Sequence, residues 1–370
     1  MFYISDFYNV NKGQFEPFKN ERGKLPSFSI CIRPLVNKKI NHLTERQQLG
    51  DYTFYEETSE GVWFSFCGSY LCLNKNMKQA DVYLSKNLRF DGQYETSNLI
   101  MQAFMYRLVD MGNFMIHSAA TVFENQGILF CGQSGAGKST QANLWKKHLK
   151  TKIINYDKPC IINDNGTFYA HGSPWSGKEE LYLNEFVPLK AIVFVRQANE
   201  NRVVKLSPAQ ACAHIYLHNY VYPITNKIEE KYASAINEVV KKIPVYELYC
   251  DISENAVEVL YNELFQQSSY EEYKKELIVK YKVKDNFLMN KIADEYVVIP
   301  RGTEALDFNA TVVFNESGAF LWDLLQDFKD IDNLADALAQ KYDISIKVAQ
   351  DDCVEFIKKM QNNKLLDVIE

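Results

Sequence analysis

The sequence lacks any apolar run long enough to cross a membrane. None of its segments approaches the roughly 18 to 20 consecutive apolar residues that a bilayer-spanning helix needs. The first residues, MFYISDFYNVNKGQFEPF, also lack the basic start and apolar block of a secretory signal. We therefore expect a cytoplasmic protein with no membrane partner.

Positive charge and paired cysteines are scarce as well. The formal net charge is −6, whereas binding to nucleic acid usually needs a basic face, so we expect no nucleic-acid partner. None of the eight cysteines forms a C-x-x-C pair, and most lie in apolar, strand-like runs. This usage indicates reduced, buried thiols.

The order of the predicted elements indicates an α/β protein with a second, smaller domain. Strand-like segments such as FSICIRPL precede a helical pattern from Ser97 to Gly112, and FMIHSAATVF is predicted as one strand. We predict a β-rich part over residues 1–100, a mixed core over 101–262, a charged linker over 263–285 and a small α+β domain over 286–370. The helices predicted for the small domain are Glu316 to Asp327, Asp332 to Tyr342 and Ala349 to Asn362.

A glycine-rich segment, GILFCGQSGAGKST, lies near the middle of the chain. It fits the P-loop pattern G-x-x-x-x-G-K-[ST] and joins a predicted strand to a predicted helix. In such loops the Lys138 ammonium reaches the β- and γ-phosphates, and the Ser139 hydroxyl binds Mg²⁺. The alternative is a chance match in a glycine turn. The predicted nucleotide-binding residues are Gly132, Gln133, Ser134, Gly135, Ala136, Gly137, Lys138, Ser139 and Thr140.

Two further side chains are candidates for the same site. The apolar strand KIIN leads to Asp157 soon after Lys138, so this carboxylate is a candidate Mg²⁺ ligand; the alternative is a turn residue before Pro159. His117 lies on the strand before the glycine segment and would approach the phosphates if the two strands pair. Spacing alone favours a packed core histidine.

His214 and His218 are four residues apart on a predicted helix, a spacing that can share a metal ion. No third ligand is evident, and the H-E-x-x-H pattern is absent. The interpretation as ordinary helix residues is therefore preferred.

The segments FMIHSAA, GILFCGQSGAGKST and NYDKP together resemble the HPr kinase group, P-loop protein kinases whose core is similar to that of PEP carboxykinase. The resemblance is close from Phe114 to Lys178 and looser over residues 1–260. HGSPWSGKEE resembles a segment of HPr kinase-related proteins from peptide-modification clusters. The resemblance implies ATP and Mg²⁺ as cofactors, with Ser139 and Asp157 on the metal. The catalytic residues that it implies are His117, Lys138 and Asp157.

One position departs from that pattern. HPr kinases carry two adjacent acids where this chain has Tyr156 followed by Asp157. Either Asp157 serves both as metal ligand and as base, or His117 is the base, or the protein binds ATP without transferring phosphate. The sequence leaves these three possibilities open.

The last part of the chain resembles the PqqD family. The matching pieces, in order, are FNATVVF, FLWDLL, LADALAQKY and CVEFIKKMQNNKLLD. The resemblance implies a winged-helix module that binds the leader of a ribosomally made peptide, with the leader added as a strand beside ATVVF. A DNA-binding winged helix is the alternative, but the first two helices are acidic. The candidate peptide contacts are Ala310, Thr311, Val312, Val313, Phe314, Val354, Ile357 and Lys358.

The two resemblances together imply an ATP-dependent kinase. It would transfer the γ-phosphoryl group to a Ser or Thr hydroxyl of a ribosomally synthesised precursor peptide, whose leader binds the C-terminal domain. One alternative is a kinase for a small hydroxyl compound such as free serine, with a C-terminal sensor. Another is a non-catalytic, ATP-gated peptide chaperone. The sequence does not indicate the peptide, the choice between ATP and GTP, or the oligomeric state.

Overall fold

The chain forms two compact units, Met1–Gln267 and Ser268–Glu370. A computed structural model describes residues 12–15, 17, 28–35, 40–86, 93–218, 224–265, 270, 273, 278–292, 295–300 and 312–369. None of the helices within these ranges combines the length and apolar composition that a bilayer-spanning helix requires.

In the described residues of the N-terminal unit, a short helix, α1, Lys12–Phe15, precedes a six-stranded sheet in the order β1-β6-β5-β4-β3-β2. Its strands are β1 Ser29–Pro34, β2 Glu45–Leu49, β3 Tyr52–Tyr55, β4 Gly61–Phe66, β5 Ser69–Asn74 and β6 Gln79–Leu84. Strand β4 is buried at every position: Phe64 packs in the main core, and Trp63 stacks on Tyr83 in a second cluster. The predicted β-rich N-terminal part is confirmed.

A nine-stranded sheet holds the centre of this unit. Its strands are β7 Phe114–Met115, β8 Ser118–Phe123, β9 Gln126–Cys131, β10 Lys152–Asn155, β11 Cys160–Asp164, β12 Thr167–His171, β13 Phe186–Gln197, β14 Arg202–Lys205 and β15 Val245–Cys250. The main path runs β10-β8-β9-β13-β12-β11-β7, and β15 pairs with both β13 and β14. Because β9, β13 and β15 are parallel, their carboxyl ends lie at one edge of the sheet.

Five helices accompany the two sheets in the described part of this unit after α1. They are α2 Gln93–Asp110, α3 Lys138–Leu149, α4 Pro208–Leu217, α5 Asn226–Lys242 and α6 Asn255–Leu264. Helix α2 packs on β5 and β6, and α3 packs on β8 and β9. Helix α4 begins at a capping box in which Ser207 and Gln210 satisfy each other's backbone N–H groups. The central strands supply the buried apolar layer, including Leu129, Ile192 and Phe194.

The segment FMIHSAATVF is two strands rather than the single strand predicted from its pattern. Strand β7 pairs with β11, whereas β8 pairs with β9 and β10. Between them, the Ile116 N–H donates to the Pro159 carbonyl, and the Ser118 N–H donates to the Asp157 carbonyl. The chain therefore changes strand partners at His117.

The C-terminal unit contains two small sheets and, after residue 312, three helices. One sheet consists of β16 Lys280–Val283 and β20 Leu366–Ile369. The other consists of β17 Phe287–Ile292, β18 Glu295–Pro300 and β19 Val313–Phe314. The helices are α7 Glu316–Leu324, α8 Ile331–Tyr342 and α9 Ile346–Asn362. Side chains of Asn315, Asp330 and Ser345 cap the three helices. Helix α9 starts before the predicted Ala349 because Ser345 supplies its cap.

Three sequence predictions need correction here. The predicted linker, 263–285, contains β16, which pairs with β20, so Lys280–Val283 is part of the C-terminal unit. All eight cysteines are free thiols, but Cys31, Cys67 and Cys212 are only half-buried. The boundary predicted after residue 100 falls inside α2.

Candidate active site

The glycine loop, residues 132–137, connects β9 to α3. Gly132, Gly135 and Gly137 have φ angles of 144°, 81° and 102°, values that side chains other than glycine rarely adopt. A Cβ atom on Gly132 would also lie 3.2 Å from the Val195 carbonyl oxygen of β13. The glycines are therefore required by the turn itself, which brings the chain directly into the first turn of α3.

Lys138 is the first residue of α3 and its side chain folds back over the loop. Its Nζ donates hydrogen bonds to the carbonyl oxygens of Gly132 and Gln133, both at 3.1 Å. Burial lowers the pKa of Lys138, and the negative charge of Asp157 opposes that shift. No side chain caps the first turn of α3. An ammonium group and helical N–H groups thus share one small region, an arrangement that favours anions.

His117 and Asp157 come together beside this loop. Ser118 is the register partner of Cys131, the last residue of β9, so His117 stands next to the start of the glycine loop. The His117 Nε2 lies 3.0 Å from Oδ1 of Asp157. The sequence interpretation of His117 as a packed core residue is therefore not supported.

Asp157 is held between two basic groups. Its Oδ1 faces His117, and its Oδ2 accepts a hydrogen bond from the Lys158 ammonium. Burial alone would raise the pKa of Asp157, but the hydrogen bond from His117 and the charge of Lys158 lower it to about 2. The group is therefore ionised at neutral pH. Lys158 was not singled out by sequence reasoning, although it directly follows the candidate acid.

A buried amide shapes the turn that presents Asp157. Asn155 is fully buried, and its Oδ1 accepts hydrogen bonds from the backbone N–H groups of Asp157 at 2.9 Å and Lys158 at 2.8 Å. Its Nδ2 donates to the carbonyl oxygens of Ser173 and Trp175. Asn155 thereby ties the acidic turn to the segment HGSPWSGKEE. An Asn two residues before the acid is a common turn signal that could have identified it.

Tyr156, the residue before Asp157, points away from His117. Its hydroxyl donates to Oδ1 of Asn143 on α3, at 2.7 Å. Its neighbour Asp157 instead faces His117. The two consecutive side chains therefore point in different directions. Tyr156 contacts α3, and only Asp157 pairs with His117.

Gly177 closes the other side of the acidic turn. Its φ is +66°, and a Cβ atom there would lie 3.1 Å from the Cβ of Asp157. The close approach and the left-handed conformation both require glycine.

We expect Gly177→Ala to destabilise the N-terminal unit more than Gly68→Ala does. Gly68 is a matched control because its φ is +81° but no atom lies within 4 Å of the position a Cβ would take. Both variants should lose about 1 kcal/mol from the left-handed conformation, and Gly177→Ala should lose more from the contact with Asp157. Urea unfolding of the N-terminal unit measures this difference. Equal losses would show that the contact is relieved by a small shift.

His214 lies on α4, and His218 is the residue that ends this helix. His214 and His218 stack on each other, and the nearest acidic oxygen, Oε1 of Glu247, lies 3.8 Å from Nε2 of His214. The described ranges contain no group of three or more His, Cys, Asp or Glu side chains that could hold a metal ion.

The predicted peptide contacts differ widely in exposure. Val312, Phe314 and Ile357 are buried in the C-terminal core, while Val313 and Val354 are half-buried and Lys358 is exposed. The buried side chains can therefore not supply contacts to a peptide without repacking. Ala310 and Thr311 lie outside the described residues.

Strand β19 is the last strand of its sheet in the described residues. The Val298 N–H donates to the Val312 carbonyl, and Phe314 pairs with Tyr296, so these alternate residues face β18. The Val313 carbonyl points the opposite way and accepts a hydrogen bond from the Lys359 ammonium at 3.0 Å. Val313 therefore presents its backbone to the outer edge.

Two family models match separate parts of the chain. Residues 93–266 match the family described as SynChlorMet cassette protein ScmC, and this segment includes the glycine loop and Asp157. Residues 295–366 match the family described as coenzyme PQQ synthesis protein D, PqqD. No curated protein matches the sequence.

Two solved structures are similar to parts of the chain. TbiB1 in complex with the TbiA(beta) leader peptide is 23% identical, with 23% of this chain and 94% of that chain covered and a TM-score of 0.20. The HPr(Ser) kinase/phosphatase from Coxiella burnetii is 9% identical, with 41% of this chain and 97% of that chain covered and a TM-score of 0.25. The two family matches divide the chain into a segment similar to the ScmC family, which carries the glycine loop and Asp157, and a PqqD-like domain toward its C-terminal end.

Proposed function

We propose that this protein is a kinase that transfers the γ-phosphoryl group of ATP to a Ser or Thr hydroxyl of a ribosomally synthesised precursor peptide. The observation that carries the proposal is the His117–Asp157 pair, held beside a glycine loop that contains Lys138. An anion-binding loop and an ionised carboxylate at the same sheet edge suit phosphoryl transfer, which depends mainly on positioning and charge.

In the proposed reaction, the acceptor hydroxyl oxygen forms a bond to the γ-phosphorus as the bond from that phosphorus to the β-phosphate oxygen breaks. Asp157 accepts the hydroxyl proton, and the hydrogen bond from His117 keeps the carboxylate in position. Lys138 and the N–H groups at the start of α3 stabilise the charge on the phosphate oxygens. ADP and a phosphopeptide are the products.

The site also suits Mg²⁺. This ion takes few protein ligands, usually one or two carboxylates beside water and phosphate oxygens. The Ser139 hydroxyl at the start of α3 and the ionised Asp157 carboxylate are donors of that kind. When bound, the ion supplies positive charge against the phosphates.

The C-terminal PqqD-like domain is proposed to hold the leader of the peptide. A leader strand placed beside β19 would meet the outward backbone of Val313, and Lys359 would release that carbonyl. Binding the leader on the same chain raises the local concentration of the acceptor segment near Asp157.

The test is the intact mass of a precursor peptide whose leader binds this protein, after incubation with the full chain, Mg²⁺ and ATP. We expect a gain of one phosphoryl group with the wild type and none with Lys138→Ala, because the alanine variant lacks the ammonium inside the loop. Unchanged peptide that still binds the protein in an ATP-dependent manner would favour the chaperone instead. Turnover of free serine without turnover of peptide would favour a small-molecule kinase.

A further inference from the structure

An exposed isoleucine lies beside the helix that follows the glycine loop. Ile252, in the loop between β15 and α6, leaves 79% of its surface exposed, more than any other large apolar side chain in the described ranges. A single exposed apolar residue is common on protein surfaces and needs no explanation by itself. Two further observations distinguish Ile252: hydrogen bonds hold its loop in place, and the loop lies at the sheet edge that carries the glycine loop.

The loop that carries Ile252 is held rigidly. Oδ1 of Asp251 accepts hydrogen bonds from the Ser253 N–H at 2.9 Å and from Nδ2 of Asn201 at 3.0 Å, and the Asp251 N–H donates to Oδ1 of Asn201 at 2.9 Å. On the other side, Nε2 of Gln141 in α3 donates to the Asp251 carbonyl at 3.2 Å. These bonds hold the backbone on both sides of Ile252.

The same loop lies at the edge of the sheet that carries the glycine loop. The glycine loop follows β9, residues 198–201 follow β13, and residues 251–254 follow β15, and these three strands are parallel neighbours. Contact between the segments is direct, since Nε2 of Gln197 donates to the Gly135 carbonyl at 2.9 Å. The three segments therefore form one continuous surface.

Asp157 lies at one end of this surface, which indicates how a triphosphate would be oriented along it. His117 precedes β8 and Asp157 follows β10, and both strands lie on the side of β9 away from β13. A triphosphate whose terminal phosphate meets Asp157 and whose inner phosphates lie in the glycine loop extends away from β10. On that side of the glycine loop lie the loops after β13 and β15, where a nucleoside joined to such a triphosphate would extend.

We infer that the loop 251–254 is the nucleobase subsite, with the face of the base packed on the Ile252 side chain. This inference rests on the proposed use of a nucleoside triphosphate. Asp251, Asn201 and Ser253 are already bonded to one another. The Ile252 side chain offers the base an apolar contact, which does not distinguish adenine from guanine.

The test compares equilibrium binding of ATP, GTP and inorganic tripolyphosphate to the full chain in the presence of Mg²⁺. Ile252→Ser should weaken ATP and GTP by a similar factor, about three- to tenfold, because part of an isoleucine side chain loses its apolar contact. Tripolyphosphate should bind the variant and the wild type equally. Ile346→Ser is the control, since Ile346 is 46% exposed in the other unit.

Equal ATP affinity of the wild type and Ile252→Ser would overturn the subsite, and so would an equal loss for tripolyphosphate, which has no base. A second measurement is photolabelling with 8-azido-ATP followed by peptide mapping: an adduct within 197–201 or 251–255 supports the subsite, and an adduct confined to other segments overturns it. If Ile252→Ser binds ATP more weakly than the wild type but the wild type forms no phosphopeptide, the kinase proposal is overturned and the subsite is supported. A wild type that binds none of the three ligands would overturn both.

Discussion

Asp157→Asn is expected to lower peptide phosphorylation by about 10³-fold while the N-terminal unit stays folded. Asparagine has nearly the same shape, and its side-chain oxygen can still accept the hydrogen bond that His117 donates at 3.0 Å. It has no negative charge, so it can neither accept the hydroxyl proton nor attract a cation. Initial rates by phosphopeptide mass, beside thermal unfolding of both proteins, measure the two effects separately.

Tyr156→Phe is the matched control for that experiment. The Tyr156 hydroxyl donates to Asn143 on α3 and takes no part in the His117–Asp157 pair. We expect the phenylalanine variant to keep its rate within about threefold, because only one exposed hydrogen bond is lost. Loss of activity in Tyr156→Phe similar to that in Asp157→Asn would contradict the view that one acid suffices. A rate unchanged in Asp157→Asn would remove Asp157 from the chemistry altogether.

Val313→Pro is expected to weaken leader binding by at least about tenfold with little loss of stability. The Val313 carbonyl, bonded to Lys359, points away from β18, and the N–H of the same strand residue lies on the same side. Proline removes that N–H and places its ring against an added strand, whereas edge strands tolerate proline in their own fold. Calorimetric titration of the full chain with leader peptide measures the change.

Val313→Thr is the control for the edge strand. Threonine keeps the backbone N–H and the β-branched shape, so its leader affinity should stay within about twofold of wild type. Equal weakening by threonine and proline would mean that the Val313 side chain, not the strand edge, contacts the leader. Unchanged affinity in both variants would place the leader away from β19.

Signals that are contiguous in the sequence predicted their structures well. The glycine pattern placed a loop between a strand and a helix, and the positive φ angles of Gly132, Gly135 and Gly137 explain why those residue types occur there. Apolar spacing predicted the three C-terminal helices, with errors of a few residues at their ends. Capping side chains such as Ser345 decide those ends, and apolar periodicity does not report them.

Features that depend on the order of strands in the sheet could not be predicted from contiguous sequence signals. FMIHSAATVF looks like one strand because its apolar pattern continues through His117, but the two halves pair with different strands. Nothing local indicates that exchange of partners. Ile252 could likewise not be predicted as a site residue, because only the strand order places its loop near the glycine loop.

The sequence by itself determined the chemical parts of this protein: the glycine loop with Lys138, the acid at Asp157 and a separate C-terminal domain of the PqqD type. Each depends on residue types at short spacing, which local backbone preferences convert directly into structure. Only the tertiary structure decided that His117 pairs with Asp157, that Tyr156 turns toward α3 and that Ile252 lies at the same sheet edge. Those relations arise from the order β10-β8-β9-β13-β15, which is set by the packing of the whole sheet.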